Sequence, residues 1–72
     1  MKAMNYIAVV EHGETGWGAY VPDLPGCTAV GPTRDFVADR IREAVLLHVE
    51  SLREHGEVVP EPAAVAFTID AA

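Results

Sequence analysis

The sequence predicts a small α+β domain of element order β-β-β-α-β, a four-stranded mixed sheet in the spatial order 3-2-1-4 with one long helix on one face. Three observations predict it. Short runs rich in apolar, β-branched and aromatic residues at 4–11, 17–22 and 27–30 are separated by turn residues. Nothing from Arg34 to His55 breaks a helix. Beyond the helix, "AVAFTID" at 64–70 alternates with the period of a strand.

"MNYIAVVE" (4–11) is apolar on both alternating sets, Met4, Tyr6, Ala8 and Val10 on one side and Ile7 and Val9 on the other, the mark of an interior strand. "HGETG" (12–16) is a turn, and "WGAYVP" resumes the extended pattern to complete an antiparallel hairpin. A second turn, Pro22 to Gly26, leads to "CTAV" (27–30), with Gly26 at its positive-φ position and Gly18 allowing close approach of a neighbouring strand. Gly31 and Pro32 end the third strand. Thr33 is placed to cap the helix, Asp35 faces the positive end of its dipole, and Gly56 stops it, with Pro60 and Pro62 beyond. At 100° per residue Val37, Ile41, Ala44, Val45, His48 and Leu52 form the core-facing stripe. A right-handed crossover then lays 64–70 parallel to the first strand, with Val65, Phe67 and Ile69 inward.

Seventy-two residues make one domain with a thin core, for which association is the natural support. Cys27 is the only cysteine, so neither an intrachain disulfide nor a cysteine-based zinc site is available, and a reducing compartment is expected. The sequence has no signal-peptide pattern and no membrane-length apolar run, which places the chain in the cytoplasm, away from membranes. Its net charge is −6, and between residues 33 and 55 four arginines nearly offset five acids, so five of the six negative charges lie elsewhere. Such a field favours a basic partner and opposes nucleic-acid binding, which needs clustered Lys and Arg.

One helix covers only one face of a sheet, so the other is expected to be an apolar association surface. Tyr6 and Val10 on the sheet, with Leu46 and Leu47 outside the helix stripe, are the candidate residues for a homo-oligomer, dimer or tetramer. Trp17, Tyr20, Asp23 and Leu24 are candidates for contact with a different protein. Trp17 and Tyr20 have opposite strand parity, so one can serve the core while the other faces outward. Asp23 can instead cap its own turn, whereas Leu24 at the turn's tip is costly to expose without a binding role. No cofactor, metal motif or catalytic group is expected. Cys27 has no basic neighbour in sequence, and Glu11, Asp23 and Glu43 sit on elements that do not bring them together as a metal-dependent nuclease requires.

"GWGAYVPDLPGCTAVGPT", followed by a helix containing "IREAVLLHVESLREHGE" and then "VPEP", resembles the HicB-like antitoxin family of toxin–antitoxin systems. The resemblance implies a partly degraded ribonuclease-H-like fold without nuclease activity. It implies a HicA-type toxin as partner, a small basic ribonuclease that cuts messenger RNA with a histidine and is neutralised by occlusion of that surface. Many relatives carry a C-terminal ribbon-helix-helix or helix-turn-helix module. This sequence stops at Ala72, so residues 1–72 are expected to be a single HicB-like domain without a DNA-binding module and without direct DNA binding. A stand-alone oligomeric structural adaptor without a toxin is the alternative reading.

Overall fold

A computed structural model describes residues 4–72. Its elements are β1 (Val9–His12), β2 (Trp17–Tyr20), β3 (Thr28–Gly31) and α1 (Arg34–Glu54). The strands form one antiparallel sheet in the order β1-β2-β3. Val10, Ala19 and Ala29 stand on one rung and Glu11, Gly18 and Val30 on the next. Because Ala19 is buried beneath the helix with the core, its rung faces α1, and the alternate set of Val9, Glu11, Gly18, Tyr20, Thr28 and Val30 faces away.

The connections use local hydrogen bonds. Gly13 N–H donates to the Gly16 carbonyl at 2.7 Å, closing the β1–β2 hairpin. In the next turn Leu24 N–H donates to Val21 (3.0 Å), Cys27 N–H to Leu24 (3.0 Å) and Val21 N–H to Cys27 (3.2 Å), two tight turns back to back. Gly26 takes φ 85° there, a conformation that strains any residue with a Cβ.

Thr33 caps α1 from extended backbone (φ −135°, ψ 160°), its hydroxyl accepting from Phe36 N–H at 3.1 Å. At the other end Gly56 (φ 68°) donates to Arg53 and Glu57 donates to Leu52, the paired bonds of a Schellman stop. Entry into the helix is tight, since a Cβ on Gly31 would lie 2.2 Å from the Phe36 ring. By contrast a Cβ on Gly18 would meet only Ala29 O at 3.8 Å, an ordinary contact, so the close strand approach expected at Gly18 occurs at Gly16 instead, where a Cβ would lie 2.8 Å from the Gly31 carbonyl oxygen.

Ala19, Val21, Leu24, Cys27, Val37 and Ile41 form the buried core, with Tyr6, Val10, Trp17, Ala44, Val45 and Val49 packed around it. His48, expected within the stripe, is half-buried, Leu52 is half-buried but outside that cluster, and Val49 joins the cluster from beside the stripe. The helix lies mainly over β3, less over β2 and least over β1. One flank of the sheet therefore carries a thinner cover than the other.

The expected four-stranded mixed sheet of order 3-2-1-4 is not formed. Three antiparallel strands make up the sheet, and residues 64–70 contribute none. Val65, Phe67 and Ile69, expected to point inward, are 72%, 82% and 81% exposed. The alternation of 64–70 records a face that suits burial, but a strand exists only when a neighbour supplies its hydrogen bonds, and among the described residues none does. The first strand is shortened for the same reason: β1 begins at Val9, and residues 4–8 lie outside the ladder. The Cα radius of gyration of 13.6 Å exceeds the roughly 11 Å of a compact chain of this length, as the exposed C-terminal segment requires.

Candidate protein-binding site

The thin cover over β1 leaves a groove of about 480 Å³. Tyr6, Ala8 and Val10 line one side, and Ile41, Val45 and Leu46 of α1 line the other, with Arg42 among them. It continues along the helix past Val49 to Arg53. Three of the four residues expected at a homo-oligomer interface, Tyr6, Val10 and Leu46, line this one groove, although Tyr6 and Val10 lie on the helix side of the sheet and not on the helix-free face expected to associate. Leu47 does not. It lies on the opposite flank beside Val30, Phe36 and Arg40, where the Arg40 guanidinium stands 5.1 Å from the Phe36 ring centroid.

The four residues expected to meet a different protein do not share a surface. Tyr20 lies on the helix-free side of the sheet, 44% exposed, in a shallow depression with Glu11, Gly18, Thr28 and Val30. That side is mixed in polarity and less apolar than expected. Trp17 faces the other way, half-buried against the core and stacked on His12 with ring centroids 4.7 Å apart. Leu24 corrects a prediction outright: its relative exposure is 0%, because the two turns around it fold the tip inward and insert the side chain into the core.

Asp23 has a task the sequence did not suggest. Its Oδ2 accepts from the N–H groups of both Ala63 and Ala64 at 3.0 Å, so it clamps the chain at the start of the C-terminal segment. Tyr6 assists by donating its hydroxyl proton to the Pro60 carbonyl. Burial first, and then the Asp23 carboxylate, push the Tyr6 hydroxyl above its ordinary range, and Arg53 opposes them. This extends the range over which the donor stays protonated further into alkaline pH.

Burial likewise raises the Cys27 thiol, leaving a neutral, packed side chain in place of a reactive one. Among the described residues no group of three or more His, Cys, Asp or Glu side chains is arranged to hold a metal ion. No described helix is long and apolar enough to cross a membrane.

Val65, Phe67 and Ile69 are the surface residues that sequence reasoning assigned to the wrong environment. Their alternation was visible, but it was credited to an internal sheet position.

Residues 6–72 match the family described as HicB_like antitoxin of bacterial toxin-antitoxin system. The chain belongs to the HicB-like antitoxin family. This HicB-like chain is 35% identical over 69 residues to a UPF0150 protein of Thermoplasma acidophilum, covering 94% of the chain and 100% of that relative. A UPF0150 protein of Archaeoglobus fulgidus is 34% identical over 59 residues, which cover 78% of the chain and 86% of the relative. "Antitoxin HicB 2" of Photorhabdus laumondii is 31% identical over 61 residues, covering 85% of the chain but 44% of that protein, so the chain spans under half of its length.

Proposed function

We propose that the chain is a non-catalytic, cytoplasmic antitoxin that binds a HicA-type toxin, a small basic ribonuclease acting on messenger RNA, and covers its RNA-cutting surface. The family match over residues 6–72 carries this reading. The charge distribution supports it, because five of the six net negative charges lie outside the helical segment, Glu11 and Glu14 among them. The toxin-facing surface in this reading is the helix-free side of the sheet, where Tyr20 offers an exposed aromatic anchor beside Val30 and Glu11. Self-association, as a dimer or a tetramer, is the second part of the proposal and uses a different part of the molecule, the β1 groove.

The test is co-expression with a small basic, histidine-bearing protein encoded beside this one. Growth arrest by that protein is relieved, the two copurify, and Tyr20→Ala weakens the complex at least tenfold, or about 1.4 kcal/mol. Persistent arrest with no complex sinks the antitoxin reading and leaves the stand-alone adaptor.

A further inference from the structure

Two incomplete features sit in one chain. The groove beside β1 is lined mainly by apolar side chains, and among the described residues β1 is hydrogen-bonded only on its β2 side. The segment 64–70 has three large apolar side chains on one alternating set, each more than 70% exposed, and belongs to no sheet. What the groove lacks is a strand with one apolar face, and that is what the segment offers.

We propose that the two are joined between copies: residues 64–70 of one subunit pair along the free edge of β1 in a second subunit, and Val65, Phe67 and Ile69 enter that subunit's groove against Ile41, Val45 and Leu46. The exchange is reciprocal. This deepens the self-association part of the proposed function and rests on it, but it is independent of the toxin.

The position of the hinge selects this occupant over a foreign one. Asp23, in the β2–β3 turn, fixes the amides of Ala63 and Ala64, and Tyr6, just ahead of β1, holds Pro60, so the segment leaves the body at the end of the sheet where β1 begins. A two-fold axis close to that hinge brings the partner's segment to the same end of the sheet, from which it can run along the free edge of β1. The clamp also explains why an ordered departure point is built for a segment that touches little in its own subunit.

Size and charge agree. The free run from residue 4 to His12 is longer than the segment, which spans about 23 Å as a strand. The segment's seven residues and the eleven lining the groove place about eighteen on each side, near the ~20–30 of a standard interface. Between 64 and 70 the only charge is Asp70, and the groove contains Arg42. Exchange also removes an edge strand that would otherwise be open to uncontrolled pairing.

Sedimentation velocity of the full chain reads the first part of the test. At tens of micromolar the wild type sediments as a dimer or a multiple of one. The double variant Phe67→Asp/Ile69→Asp has its association constant reduced at least a hundredfold, with helix content unchanged because both positions are exposed in the single subunit. Val30→Asp, on the helix-free side, leaves the dimer intact.

The route is read by trapping in a Cys27→Ser background, with Leu46→Cys on one copy and Phe67→Cys on the other, mixed after unfolding and refolding. A disulfide-linked heterodimer on a non-reducing gel is expected. A dimer that survives the double aspartate change overturns strand exchange while leaving self-association standing. A monomer at all concentrations overturns both, and failure of the Leu46→Cys and Phe67→Cys copies to link overturns the exchange.

Discussion

Leu24 and Phe67 both follow proline-bearing stretches within a few residues of Asp23 or of the amides it clamps, yet one is fully buried and the other is 82% exposed. The turn around Leu24 is self-sufficient. Three backbone hydrogen bonds close between Val21 and Cys27, and the bent chain aims its one large apolar side chain into the core. The segment around Phe67 is not. A strand obtains its hydrogen bonds from a neighbour, so its alternating pattern has no local way to be satisfied. Apolar character in two short stretches therefore has opposite outcomes, decided by whether the backbone can complete its bonding within a few residues.

Paired truncations probe this contrast most strongly. Leu24→Ala is expected to cost about 2–5 kcal/mol, enough to unfold a domain of marginal stability, and denaturant titration reads it. Phe67→Ala measured on dilute single subunits is expected to change stability by less than ~0.5 kcal/mol, because its side chain has little to lose. Equal costs at the two positions would break the comparison.

Asp23→Ala comes next and tests the link between the two regions. Loss of both charge-assisted bonds should cost about 1–2 kcal/mol and remove hydrogen-exchange protection from the amides of Ala63 and Ala64, while those of Leu24 and Cys27 keep theirs. Gly26→Ala sharpens the turn side of the comparison. Forcing a Cβ into φ 85° is expected to cost about 1 kcal/mol, visible as a lowered denaturant midpoint with an unchanged slope.

The smallest effect belongs to Tyr6→Phe, about 0.5–1 kcal/mol, from loss of the bond to Pro60. Its pH dependence has a defined sign. The folded state holds the Tyr6 hydroxyl above its ordinary 10.0, so its contribution is complete below pH 10 and is lost as pH rises from there through the folded value. Alkaline titration of stability should therefore show a steeper decline above pH 10 for the wild type than for Tyr6→Phe.

What was legible in the sequence was whatever depends on neighbours along the chain. Thr33 at the start of α1, Gly56 at its end and Gly26 in the second turn each state a local backbone requirement, and each is found in the conformation read from it. The antiparallel β1–β2 hairpin followed from the turn at 12–16 between two alternating runs. Three long-range outcomes were not legible. Leu24 looked exposed because a turn tip is usually a surface, and only the doubled turn brings it inside. Asp23 looked like a turn cap because its true partners lie forty residues on. The strand at 64–70 was misplaced because alternation specifies a buried face without naming the molecule that buries it. Of the candidate residues, Tyr6 and Val10 line a groove with Leu46 on the helix side of the sheet and not on the expected helix-free face, and Leu47 lies on the opposite flank, since neither strand alternation nor helical angle says which face the helix covers or toward which flank it is shifted.

The Asp23 clamp closes a loop that contains the whole of α1. Synthesis runs from the N-terminus, so the hairpins and the helix are complete before Ala63 and Ala64 leave the ribosome. Docking of two amides onto a waiting carboxylate is then the closing event of folding. A released chain ending just short of residue 63 should already carry the body of the molecule and lack only the arm.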